Sequence, residues 1–182
     1  RCAVIGAGVM GAGIAQWVSS RDIPVILRAI NHEAVAQGLA GIARLYQAGV
    51  KRHALTKTEA RAGMDRIAPT ATDVPLTTTD IVIEAAVEKM DLKKQIFARL
   101  DELAGPNTIL ASNTSALSIS EIATATKHPG RVVGIHFFNP VHKMQLVEVI
   151  VVRQTSPEVW RRAVKFVHQI GKLPFVCHYS PG

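Results

Sequence analysis

Short, wholly apolar runs recur along this chain between longer stretches whose apolar residues return every three or four positions. The short runs predict buried strands at Cys2–Ile5, Pro24–Arg28, Asp80–Glu84, Thr108–Ala111, Arg131–Phe138, Leu146–Val152 and Pro174–Cys177. The helical period predicts helices after Gly13, from Glu33 to Ala48 and from Asp91 to Leu103. In the second of these, Ala34, Leu39, Ile42, Ala43 and Leu45 trace the apolar face; in the third, Leu92, Ile96 and Leu100 do. Two Ser/Thr-x-x-Glu capping boxes open further helices: Thr56…Glu59, running to Met64, and Ser118…Glu121, running to Thr126. Ser156-Pro157-Glu158 is an N-cap with a first-turn proline and acid, opening a helix to Gln169. Strands alternating with helices predict one α/β domain over residues 1–182, a doubly wound and mostly parallel sheet. The turn-prone Asn139-Pro140-Val141-His142-Lys143 joins two of the strands and adds an antiparallel pair.

The first strand runs straight into Gly6-Ala7-Gly8-Val9-Met10-Gly11, and helix-compatible Ile14-Ala15-Gln16-Trp17-Val18 follows. A G-x-G-x-x-G turn between strand and helix is the fingerprint of a Rossmann-type dinucleotide-binding unit. Gly6 allows the tight turn, Gly8 lets the backbone approach a pyrophosphate, and Gly11 lets helix and strand pack closely. The helix start offers free N–H groups and a positive dipole end to phosphate.

Composition narrows the picture little further. A chain of 182 residues, 48% apolar and 19% charged, suits one domain with a real core. No run approaches the roughly 18 apolar residues of a membrane span. The net charge of +7 is spread over separated positions, without the basic, aromatic-interleaved tract of a nucleic-acid surface. Such a field suits an anionic ligand such as a nucleotide or acyl-CoA. Cys2 and Cys177 have no C-x-x-C spacing and read as two buried free thiols. Arg1 begins at the first strand and Ser180-Pro181-Gly182 reads as a turn leading onward, so the chain is expected to be an excised domain.

In open α/β sheets the ligand groups stand at the carboxyl ends of strands. An acid that reads the adenosine ribose is expected about twenty residues beyond the glycines. Ala29 holds that place, flanked by Arg28. Arg28 either favours a 2′-phosphate, which makes NADP a possible cofactor beside NAD, or turns away along the strand. After the Asp80–Glu84 strand, backbone at Ala86 and Val87 together with Glu88 and Lys93 is placed to line the cofactor cleft; the alternative for Glu88 and Lys93 is an ordinary pair near a helix start. Asn113-Thr114-Ser115 reaches the same rim, as a polar wall or as a loop cap.

His136 lies within an apolar run, and Glu148 lies within the next. A carboxylate in such a run is costly unless paired. A hairpin about Asn139–Lys143 sets the two nearly opposite. Such a pair holds one imidazole tautomer and raises its basicity. That suits a general base taking a hydroxyl proton while hydride leaves the same carbon; a purely structural pair is the alternative.

These residues stand within GAGVMGAGIA (6–15), DIVIEAAVEKMDLKKQIF (80–97), ILASNTSALSI (109–119) and GIHFFNPVHKMQLVEVI (134–150). Together they closely resemble the NAD-binding domain of the L-3-hydroxyacyl-CoA dehydrogenase family, over essentially the whole chain. With RLYQAGVKRHALTKTEARAGMDRIAPT (44–70), the likeness is greatest to the dehydrogenase portion of multifunctional fatty-acid oxidation enzymes, which also carry an enoyl-CoA hydratase region. The resemblance implies NAD-dependent oxidation of an L-3-hydroxyacyl-CoA to the 3-ketoacyl-CoA. It implies His136 as general base, Glu148 as its partner, and Ser115, beside Asn113, bonded to the substrate oxygen or the nicotinamide region. Gly6, Gly8, Val9, Met10, Gly11, Ala29, Ala86, Val87, Glu88, Lys93, Asn113, Ser115 and Asn139 would bind or shape the cofactor; no metal is implied. It further implies a helical C-terminal domain beyond Pro181-Gly182, an oligomeric parent, and poor turnover by this piece alone. The setting would be bacterial cytoplasm, or the mitochondrion or peroxisome of a eukaryote. Two departures stand out: Ala29 for the acidic ribose ligand, and Tyr179 where an Asp usually precedes the Pro-Gly. A lens crystallin also resembles this family, so a non-catalytic dinucleotide-binding or structural role on the same scaffold is the alternative, with a dehydrogenase of another hydroxyacid behind it.

Overall fold

A computed structural model describes residues 1–178; Tyr179 and the Ser180-Pro181-Gly182 turn lie outside the described residues. The elements in chain order are β1 (Cys2–Ile5), α1 (Val9–Ser19), β2 (Val25–Arg28), α2 (His32–Lys51), α3 (Lys57–Asp65), β3 (Ile67–Thr70), β4 (Ile81–Glu84), α4 (Met90–Leu103), β5 (Ile109–Ser112) and α5 (Ile119–Ala123). A 3₁₀ turn (Pro129–Arg131), β6 (Val132–Phe137), β7 (Leu146–Val151), α6 (Pro157–Gln169) and β8 (Leu173–His178) complete them.

The strands form one sheet in the order β3-β2-β1-β4-β5-β6-β7-β8. All neighbours run parallel except β6 and β7. This is the doubly wound, mostly parallel sheet with an antiparallel pair that the alternation predicts. The winding reverses between β1 and β4, and a crevice opens there at the strands' carboxyl ends. Side chains alternate across the sheet. Cys2 and Val4 enter a core covered by α1, α2 and α6; Ala3 and Ile5 enter a second one covered by α4 and α5.

Several local expectations are corrected. β3 is a strand that the apolar pattern misses: only Ile67 of Ile67-Ala68-Pro69-Thr70 is buried, and Pro69 suits the sheet edge where the strand lies. The buried line of α2 is Val35, Gly38, Ile42, Tyr46 and Gly49, so Ala34, Leu39, Ala43 and Leu45 only flank it. Two glycines on that line carry no apolar side chain, which hides the true face. The Thr56–Glu59 box forms in full, whereas at Ser118 only half forms: Ser118 Oγ accepts from Glu121 N–H while the Glu121 carboxylate takes Lys94 at 2.8 Å. α5 ends at Ala123, and i→i−3 bonds from Ala125 and Thr126 tighten the segment beyond it. Cys2 is fully buried, but Cys177 is only half-buried; both thiols are free. Burial pushes the Cys2 thiol up to about 12.

Candidate active site

The glycine turn forms as its spacing predicts. Gly6 takes φ +105°, a conformation open to glycine, and a Cβ there would lie 2.6 Å from the Ala85 carbonyl oxygen. A Cβ on Gly11 would lie 1.9 Å from the Gly6 carbonyl oxygen, so the first turn of α1 closes on the loop only without a side chain. At Gly8 a Cβ would meet nothing within 4 Å; this side of the turn is open. No side chain caps α1 and its first turn carries no acid. Its leading N–H groups are thus left for an incoming anion.

A cleft of about 760 Å³ runs from this turn over the ends of β2 and β4 to α4. Gly6, Gly8, Val9, Met10, Ala29, Ala86 and Val87 all line it, and Val9, Ile30 and Val87 expose apolar side chains at its mouth. Met10, Ala85 and Ala86 are shared with an adjoining pocket of about 300 Å³ that contains Glu88, Lys93, Asn113, Ser115, His136, Phe138 and Asn139. An uncapped helix start, an open glycine face and an apolar cleft leading into a polar pocket fit an extended dinucleotide.

At the end of β4 the structure adds a residue the sequence reading passes over. Glu84 is fully buried and accepts from Lys93 Nζ at 2.6 Å, Ser112 Oγ at 2.7 Å and Ala86 N–H at 2.7 Å. Lys93 is equally buried and also reaches Glu88 Oε2 at 3.3 Å. It is therefore no ordinary surface pair near a helix start; it ties β4, α4 and the Ala85-Ala86 turn together. Glu88 in turn accepts from the Thr114 hydroxyl and, at 3.2 Å, from Ser115 N–H. Burial alone would push the Glu88 carboxyl up, but the Thr114 bond, the Lys93 ammonium and the Ser115 bond outweigh it and hold it low. The warning for Glu84 was present in the chain: it is a carboxylate closing an apolar run, the same anomaly that singles out Glu148.

Asn113 Oδ1 accepts from Phe137 N–H at 2.8 Å, which ties the end of β5 to that of β6. In the antiparallel register His136 stands directly opposite Glu148. His136 Nδ1 lies 2.8 Å from Glu148 Oε2. The carboxylate is an acceptor, so Nδ1 carries the proton and Nε2 keeps its lone pair. The Phe138 ring tilts onto the imidazole with centroids 4.6 Å apart. The pair expected from two interrupted apolar runs is thus formed, beside the cofactor-shaped cleft.

At the β2 end of the cleft, Arg28 does not turn away. Its Nη2 bonds Asp73 Oδ1 at 2.8 Å, and Arg99 Nε bonds Asp73 Oδ2 at the same distance; all three line the cleft. Asp73 and Arg99 carry no sequence signal, since a loop and a helix distant in the chain bring them there. Among the described residues, no cluster of three or more metal-ligating side chains occurs and no helix is long and apolar enough to cross a membrane.

The fold and this cleft define a domain of the doubly wound, dinucleotide-binding class. Residues 1–180 match the family model described as 3-hydroxyacyl-CoA dehydrogenase, NAD binding domain, and the chain belongs to that family. It is 41% identical over 180 residues to the 3-hydroxyadipyl-CoA dehydrogenase of Escherichia coli, covering 99% of this chain and 38% of that protein. It is 40% identical to the fatty acid oxidation complex subunit alpha of a Psychrobacter species, over 99% of this chain and 25% of that one. The crystal structure of 3-hydroxybutyryl-CoA dehydrogenase from Escherichia coli superposes with a TM-score of 0.95 at 41% identity, over all of this chain and 39% of that one. The chain thus spans between a quarter and two fifths of the length of these relatives.

Proposed function

We propose that this domain binds NAD and, within a longer parent, oxidises the 3-hydroxyl of an L-3-hydroxyacyl-CoA to the 3-ketone. NAD supplies the hydride acceptor. His136 Nε2 takes the hydroxyl proton as hydride leaves the same carbon; Glu148 holds Nδ1–H and balances the imidazolium charge. Ser115 and Asn113 position the substrate oxygen and the nicotinamide end, with Asn139 and Met10 shaping the pocket. Gly6, Gly8, Val9 and Gly11 hold the pyrophosphate; Ala86 and Val87 pack along the dinucleotide. Glu88 and Lys93 set the wall between the two compartments. Ala29 carries no acid, so the ribose end admits NADP as well.

The observation that carries this reading is the 2.8 Å His136–Glu148 pair on the rim of a pocket continuous with the glycine turn. That pocket, about 300 Å³, holds a ring and a short acyl end but not a whole CoA. In this reading full turnover draws on further chain, an additional helical domain and an oligomeric assembly, as the greater length of the relatives supports, and the setting is a bacterial cytoplasm or a eukaryotic mitochondrion or peroxisome. A hydratase region in the same parent fits the fatty-acid oxidation reading. The test is His136→Ala in a parent protein carrying this domain, followed by NADH oxidation with a short 3-ketoacyl-CoA. Loss of turnover with NADH affinity retained supports the reading. Unchanged turnover removes His136 from the chemistry and leaves a binding or structural role.

A further inference from the structure

The ribose end of the cleft holds an arrangement that the NAD reading alone leaves unexplained. The residue just after β2 is Ala29, with its backbone N–H bonded to Thr70 O at 3.1 Å and no carboxylate to accept from a ribose diol. Asp73 is the acid lining this end of the cleft, but each of its oxygens is bridged by a guanidinium, Oδ1 by Arg28 and Oδ2 by Arg99, both at 2.8 Å. Asp73, with Glu102 on the far side of Arg99, balances the two arginines, so no carboxylate of this wall is left free to accept from a ribose diol. Arg28 Nε is buried and has no hydrogen-bond partner. A buried donor left unpaired is costly. The other charge nearby, Glu102, bonds Arg99 Nη1 at 2.7 Å and does not line the cleft.

We propose that Arg28, backed by Arg99 across Asp73, reads the 2′-position of the adenosine ribose and lets this domain bind NADP(H) at least as readily as NAD(H). The inference rests on the dinucleotide-binding reading above. An acid at residue 29 would repel a 2′-phosphate while accepting from a 2′-hydroxyl; alanine does neither. A guanidinium is the side chain suited to phosphate, and the bridged Asp73 holds it in place as its own charge is spent on the two arginines.

The test is calorimetric titration of the 182-residue chain with NADPH and with NADH, with circular dichroism to confirm that each variant is folded. The expected result is an NADPH affinity equal to or tighter than that for NADH. Arg28→Gln should weaken NADPH by about tenfold or more, the loss of one charged hydrogen bond, and NADH much less. Ala29→Asp, which leaves Arg28 in place, should reverse the preference toward NADH by about tenfold. NADPH binding about tenfold or more weaker than NADH overturns the inference and leaves the dehydrogenase reading standing. An equal effect of Arg28→Gln on both dinucleotides overturns the role of Arg28. Binding of neither overturns this inference and the cofactor reading together.

Discussion

Replacing Lys93 with methionine removes one charge from the centre of the site and little volume. Lys93 is 1% exposed and Glu84 is fully buried, with 2.6 Å between them. The substitution leaves Glu84 ionised in a dry interior, held only by Ser112 Oγ and Ala86 N–H, and removes the cation that helps hold Glu88 low. Breaking one side of a buried ion pair costs about 3–5 kcal/mol. For a domain of this size each kcal/mol lowers Tm by about 2–4 °C, so a fall of roughly 6–20 °C is expected. Urea denaturation of wild type and variant measures the loss. A deficit below about 1 kcal/mol refutes the account of Lys93 as the counter-ion of Glu84.

Three further outcomes are expected. Glu148→Gln, in a parent that turns over, should lower kcat by about 10²–10⁴-fold with little change in NADH affinity, because the amide neither fixes the Nδ1–H tautomer nor balances the imidazolium; steady-state kinetics with a fluorescence titration separate the two. Asp101→Ala should cost about 3–5 kcal/mol by stranding buried Arg131, whose guanidinium bonds Asp101 Oδ1 at 2.7 Å. Burial would raise the Asp101 carboxyl, but Arg131, Lys127 N–H and His128 hold it below its ordinary value. Its stabilising share is therefore present above the unfolded carboxylate pKa and lost as pH falls through the folded one, so acid unfolding of the variant should be shallower. Gly11→Ala should abolish dinucleotide binding in the same titration, since its Cβ would lie 1.9 Å from the Gly6 carbonyl oxygen and the loop must move.

The features that read correctly from the chain are those with a local cause. The glycine spacing is a backbone requirement, and φ +105° at Gly6 meets it. His136 and Glu148 interrupt apolar runs, and a short connection between two strands forces them into register. What escaped was set by distant segments. Arg28 is legible beside Ala29, but its partners Asp73 and Arg99 come from the loop after β3 and from α4, and no periodicity links them to it. β3 escaped because a half-exposed edge strand containing proline has no apolar alternation to show. Glu84 is the instructive miss: the cost of a buried carboxylate was applied to Glu148 and applies with more force here, where exposure is zero.

These pieces make α4 the element that sets the width of the cleft. Near its start, Lys93 is joined to Glu84 at the carboxyl end of β4. Near its end, Asp101 is joined to Arg131 just before β6. Between and just beyond those anchors, Leu92, Ile96, Arg99, Leu100 and Leu103 form one wall of the 760 Å³ cleft. Apolar contact alone would hold this helix against the sheet but is non-directional, and a slide along its axis would change little buried area. A buried ion pair adds little or nothing to stability over an apolar substitute of equal volume, yet each tolerates only a narrow displacement before a charge is stranded. Two such pairs at opposite ends of one helix fix both its translation and its rotation. Arg99 lies between them and meets Asp73 at 2.8 Å, which makes the ribose end of the cleft depend on the same two anchors as the wall beside His136.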